Sequence, residues 1–286
     1  MRGLAALATL ALAVWTAAPA AALLIDADDD GPNRRAPADD PGWAYVGSRG
    51  GPTAIYLGHG WVLTARHVGS GDVEFDGVRY PPVRDGLIQL DGPDPSAPKP
   101  YLAVFRIDPS PDLPPLPIRR KQPLIGANLV LIGNGRGRGE PIEWNGIRGY
   151  RWSRKSVKRW GTNRIHERSL WIRRKESLTH SFVTLFNKVG TPYEAQATLG
   201  DSGGAVFARD GSRWELTGVL FTVGNYPSQE ATTSLYGNFS NAADLTHYRD
   251  QIQALIAPVD EARPGLAEVS RPAPLADTEP PEASGE

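Results

Sequence analysis

A chain of 286 residues, 40% hydrophobic and 22% charged, is long enough to bury a sizeable core in one or two domains. Its formal net charge of −1 argues against bulk attraction to nucleic acid. It holds no cysteine, so disulfides contribute nothing and stability must come from apolar burial, at about 25 cal/mol per Å².

Met1-Arg2 precedes an apolar run from Gly3 to Trp15, then small residues to Ala22. A basic start, a short apolar middle and an Ala-x-Ala exit are the pattern of a secretory signal peptide over 1–22, with cleavage expected after Ala20 or Ala22. The run is short for a membrane span, and no later segment is long and apolar enough to cross a bilayer. Residues 23–43, rich in Asp, Pro and Arg, read as a disordered leader.

Residues 53–57 and 61–65 read as a hairpin turning at Gly58-His59-Gly60, with His59 a turn residue. Val73-Glu74-Phe75 and Val78-Arg79-Tyr80 flank Asp76-Gly77, a strong hairpin signal. Further strands are expected at 87–90, 102–107, 129–132, 181–186 and 214–223, with a proline-rich connector at 111–117. From 148 to 175, Arg and Lys crowd among Trp152, Trp160 and Trp171. Solvated strands and loops are the plain expectation there; a rim for anionic substrates, or a nucleic-acid or phospholipid surface, are the alternatives. Leu245, Tyr248, Ile252, Leu255 and Ile256 recur at helical spacing, and Asp244 is placed to cap that helix. Asn238-Phe239-Ser240 is a glycosylation sequon. Residues 258–286, rich in Pro, Ala and Glu, read as a disordered tail.

One pentapeptide carries chemistry: Gly200-Asp201-Ser202-Gly203-Gly204. Glycines around a serine allow a sharp turn that exposes Oγ beside backbone N–H groups, the arrangement that stabilises a tetrahedral intermediate. A nucleophilic serine needs a base, and His67, ending an apolar, β-prone stretch, is the best-supported of five histidines. His59 and His67 have no Cys, His or carboxylate cluster beside them, so no metal is expected.

Thr64-Ala65-Arg66-His67 followed by Gly200-Asp201-Ser202-Gly203-Gly204 resembles the trypsin/chymotrypsin family of serine peptidases, in that family's His-before-Ser order. The resemblance implies an all-β fold over 44–257, with two six-stranded antiparallel β-barrels and a C-terminal helix. It implies a secreted or periplasmic serine endopeptidase, a monomer without cofactor, that cleaves protein or peptide substrates through an acyl-enzyme. Ser202 would be the nucleophile, His67 the base, and the N–H groups of Gly200 and Ser202 the oxyanion hole. Phe221 to Gly224 would wall the specificity pocket, and Tyr236-Gly237-Asn238 resembles the last strand.

The departures matter as much. The family's third catalytic residue, an Asp just before the strand at 102–107, is here Tyr101. Asp108 lies about 23 Å farther along an extended strand, too far to replace it. Asp94 or Asp91, in the preceding loop, are the candidate substitutes. Gln196 falls at the base of the pocket and cannot select Lys or Arg by charge. In family zymogens an apolar N-terminus pairs with the Asp before the serine, here Asp201. Tyr45-Val46-Gly47 only faintly resembles such a start and lies too close to His67, so Asp201 is expected to take its countercharge from an arginine. Besides a peptidase, the sequence leaves open a catalytically impaired binding protein of this fold and an acyl transferase or esterase.

Overall fold

Strands form where apolar residues alternate or run together, and every expected one but the last is present at or near its expected bounds in the computed structural model, which describes residues 23–27, 31–94 and 96–257. In the first half, Thr53–Gly58 and Trp61–Ala65 are joined by a tight turn with His59 at φ +50°. His59 is the turn residue its neighbours suggested. Thr53–Gly58 is buried along its whole length because both faces are covered. Ile55 and Leu57 face Leu63 and Val104 in the core that also takes in Val130, Phe207 and Val219 of the second half. Ala54 and Tyr56 face Val62 and Phe105 on the other side. This period of two explains why the segment reads as one apolar run.

The first half is a seven-stranded antiparallel sheet in the order Val78–Tyr80, Val73–Phe75, Val46–Ser48, Thr53–Gly58, Trp61–Ala65, Leu102–Arg106, Ile88–Gln89. The second half closes six strands into a barrel: Arg159–Arg174, Ser177–Leu185, Phe239–Asp244, Arg213–Gly224, Ala205–Asp210 and Asn128–Gly133. This is the double-barrel architecture; in the first half the chain just after Val78–Tyr80 bridges to Ile107, the Val83 N–H donating to the Arg106 carbonyl at 2.8 Å and the Asp108 N–H to the Pro81 carbonyl at 3.2 Å. A three-stranded ribbon of Arg136–Trp144, Ile147–Ser156 and Thr233–Leu235 extends the second half. The basic stretch 148–175 is built into this ribbon and the barrel strand after it.

The helix Leu245–Ile256 buries Leu245, Tyr248, Ile252 and Ile256, the face its spacing marks. Asp244 caps it: Oδ1 accepts from the Thr246 N–H at 3.0 Å and the Thr246 hydroxyl at 2.7 Å. Among the described residues no helix is long and apolar enough to cross a membrane. The described residues up to Ile256 form one compact unit; of the second unit, 257–286, only Ala257 is described. The expected signal peptide and tail lie outside the described residues.

Two expectations are corrected. Residues 23–43 are not a disordered leader where they are described. Leu23, Leu24 and Ile25 are buried, and Leu24–Ile25 pairs antiparallel with Ala195–Gln196. Asn33 is buried and donates to the Trp160 carbonyl at 2.9 Å. Three large apolar residues directly after Ala22 outweigh a polar composition, because each buried Leu or Ile is worth about 1.5–3 kcal/mol. The last strand is Phe239–Asp244, not 236–238, where Gly237 at φ +92° makes a turn.

Candidate functional site

The serine loop is positioned from both halves. Gly200 and Gly203 have φ of +103° and +85°, conformations side chains rarely adopt. A Cβ at Gly203 would also collide with the Thr53 carbonyl and the Thr64 hydroxyl. Thr53, fully buried at the head of its strand, holds the loop at two points. Its N–H donates to the Ser202 carbonyl at 3.0 Å, and its hydroxyl to the Gly200 carbonyl at 2.9 Å. That same hydroxyl accepts from the Asn134 N–H at 2.9 Å, tying in the second half. The Gly203 N–H donates to Leu220 and the Gly204 N–H to Asp201, both at 2.7 Å. The Gly200 and Ser202 N–H groups, by contrast, have no acceptor among the described residues. These are the two donors the motif predicted for an oxyanion.

Asp201 is fully buried and shapes the loop. Oδ1 accepts from the Gly135 N–H at 2.8 Å; Oδ2 accepts from the Thr198 N–H at 2.8 Å and the Thr198 hydroxyl at 3.0 Å. Gly133 and Gly135 leave room for the carboxylate that a Cβ at either would fill. The Leu23 N–H is a further donor. Burial pushes the carboxyl up to about 6, against the pull of these hydrogen bonds. Among the described residues no arginine pairs with Asp201, so the expected countercharge is corrected: neutral backbone and hydroxyl donors do the work, Leu23 among them.

His67 and Ser202 line the same crevice of about 530 Å³, together with Arg174, Trp152, Phe221 and Thr222. His67 follows Trp61–Ala65, and its neighbour Arg66 donates its N–H to the Tyr101 carbonyl at 3.0 Å. This bond brings the two expected positions together. The Tyr101 ring, buried, stacks on the imidazole with centroids 5.3 Å apart and planes at 29°. The Arg174 guanidinium lies 5.1 Å from the Tyr101 ring centroid and donates to Thr222 Oγ1 at 3.2 Å. Part of His67 is open to solvent, but crowding in the crevice lowers its pKa below the ordinary imidazole value, and Arg174 and Lys175 lower it further.

Among the described residues no carboxylate completes the triad. Among the described residues no hydrogen bond or ion pair joins His67 to an acid. Asp94 is exposed and turned into its own loop, accepting from Ser96 N–H and hydroxyl at 2.9 and 2.6 Å. Asp91 pairs with Lys99 at 2.8 Å. Both candidate substitutes are therefore occupied elsewhere by local contacts.

Gln196 is buried, with Nε2 donating to the Phe239 carbonyl at 3.1 Å, and it does not line the crevice. Ala197, Thr198 and Leu199 do, and the Phe239 ring packs on Gly224. The sequon residue Asn238 is buried, its Oδ1 accepting from the Leu235 N–H at 2.9 Å. No group of three His, Cys, Asp or Glu able to hold a metal occurs among the described residues.

Three contributors escaped sequence reasoning: Leu23, Thr53 and Arg174. A threonine heading a strand of otherwise apolar residues is a readable signal. Leu23-Leu24-Ile25 after Ala22 is another. Arg174 carried none beyond the general basicity of its stretch.

The sequence profile of the trypsin-like peptidase domain matches residues 52–219. Among solved structures the chain is similar to neuropsin, a serine protease expressed in the limbic system of mouse brain, at 15% identity and a TM-score of 0.53, covering 78% of this chain and 98% of that one. It is also similar to the active form of the Rv3671c protease from M. tuberculosis, at 18% identity and a TM-score of 0.44, covering 72% and 73%. No curated protein matches the chain.

Proposed function

Because the chain belongs to the trypsin-like peptidase family, we propose that it is an exported serine endopeptidase working with a Ser202–His67 dyad and no acid behind the histidine. Ser202 Oγ attacks the peptide carbonyl carbon while His67 takes its proton. The carbonyl oxygen becomes an oxyanion held by the Gly200 and Ser202 N–H groups. His67 returns the proton to the leaving amine, and water repeats the sequence on the acyl-enzyme. The observation that carries this reading is the pair of acceptor-free N–H groups flanking Asp201, beside a serine that shares a crevice with a histidine. Such donors are worth about 10²–10³ in turnover each.

The dyad is a weakened one. In a full triad the carboxylate orients the imidazole and stabilises its cation, and its loss costs about 10⁴. Here Tyr101 stacks in its place and Arg174 and Lys175 oppose the cation. The same observation favours a second reading, a binding protein of this fold.

Export rests on the pattern of residues 1–22, and the contact of Leu23 with Asp201 favours Ala22 over Ala20 as the cleavage point. Cutting there makes Leu23 the first residue, and its ammonium would supply the charge that the buried carboxylate lacks.

A fluorophosphonate probe tests the mechanism. Labelling of the wild type that disappears in Ser202→Ala, with a loss of peptide turnover of about 10³-fold or more, supports the peptidase. No labelling between pH 6 and 9 sinks it in favour of the binder. Hydrolysis of esters but not peptides points to the esterase.

A further inference from the structure

We propose that Arg174 receives a carboxylate of the substrate, so that the preferred peptide carries an acidic side chain within a few residues of the scissile bond. This rests on the peptidase reading only for the word substrate; the binding site stands on its own geometry.

The guanidinium is fixed rather than free. It lies against the Tyr101 ring and is hydrogen-bonded to Thr222 Oγ1, inside the crevice that holds Ser202 and His67. Its Nε is buried and has no acceptor. Several other arginines are paired with carboxylates: Arg66 with Glu176, Arg151 with Glu230, Arg209 with Asp39, and Arg119 with Glu215. Arg174 pairs with no carboxylate among the described residues. Among the described residues the only acid lining the crevice is Asp201, whose oxygens are engaged by Gly135 and Thr198. The crevice is therefore cationic at its Tyr101–Thr222 end. Trp152, Val223, Ala231 and Thr232 make the rest of the wall neutral.

A planar guanidinium held in place with donors to spare matches a carboxylate, which can accept two parallel hydrogen bonds from it. A second effect follows from position. Arg174 is one of the two cations that oppose a proton on His67. A carboxylate bound to it cancels that opposition, so the substrate supplies part of the negative charge that the missing acid would have given. The preference for acid over amide should therefore appear in kcat as well as in KM.

The test uses decapeptide amides with a neutral coumarin label, in which a single Asp is walked through an Asn background. Binding to the Ser202→Ala protein is read by fluorescence anisotropy. At one position Asp should bind about tenfold or more tighter than Asn. Arg174→Gln should abolish that ratio, Arg174→Lys should keep part of it, and Arg151→Gln should leave it alone. With wild type, kcat should favour the acidic peptide. Equal binding of every Asp and Asn pair, or a ratio that survives Arg174→Gln, overturns the proposal. So does a gain seen only with a free C-terminal carboxylate. Failure of the peptidase reading looks different: the acidic peptides bind, yet the wild type cleaves none of them and takes no probe.

Discussion

Around Ser202, hydrogen bonds reach the loop from three directions, and the donors left over are the two a reaction needs. Around His67, part of the ring is open to solvent, its nearest aromatic neighbour stacks instead of bonding, and the charges nearby have the wrong sign. One wall of the crevice is built to hold negative charge as it forms; the other is not built to hold the matching positive charge. The contrast separates two things a triad usually does together. Transition-state charge on oxygen depends on backbone shape. Charge on the imidazole depends on one side chain, and that side chain is the one that changed.

The largest effect expected on the serine side comes from Asp201. Its folded pKa of about 6 lies above the ordinary 3.8, so between those values the folded chain binds more protons than the unfolded one. Stability should therefore fall as pH rises from 4 to 6, by ~3 kcal/mol, and stay at the lower level above that. The measurement is the urea midpoint at pH 4 and pH 7 for two chains, one starting at Ala22 and one at Leu23. The loss should be large in the first and much smaller in the second, where an ammonium can pair with the carboxylate. Equal losses would remove Leu23 from the account.

On the histidine side, Tyr101→Asp should raise kcat by about 100-fold, a part of the ~10⁴ that the acid is worth. Because Tyr101 is buried, the same change should lower stability by ~3 kcal/mol, read as a fall in Tm. Unchanged kcat in a folded variant would mean that the imidazole is not limiting.

Thr53→Val tests the scaffold behind the serine. It keeps the shape but removes a donor to Gly200 and an acceptor for Asn134. Leaving those groups buried and unpaired should cost ~2 kcal/mol in stability and about tenfold in kcat, with KM little moved. The smallest effect is in the pH profile. His67 titrates below the usual imidazole range, so the acid limb of kcat/KM should lie below pH 6.5, and Arg174→Gln should shift it upward.

The serine loop and the histidine were legible because their demands are local: glycines where φ is positive, an apolar strand ending on an imidazole. The helix was legible from its spacing, and its cap from one residue. What stayed hidden depends on partners far apart in the chain. Nothing near Leu23 in sequence announces Asp201, and nothing near Arg174 announces Tyr101. The bridge from Pro82 to Ile107 was hidden for a similar reason, since it depends on how distant parts of the sheet approach one another. Asp94 failed as a substitute because its own turn offers two donors at once, a nearer claim than any distant imidazole.

Thr53 belongs to the first sheet yet grips a loop of the second barrel. If that sheet loosens, through heat, a nick or a mutation at its edge, the grip goes before the barrel does. A partly denatured sample would then keep most of its circular dichroism and none of its turnover, and inactivation would run ahead of global unfolding as temperature climbs.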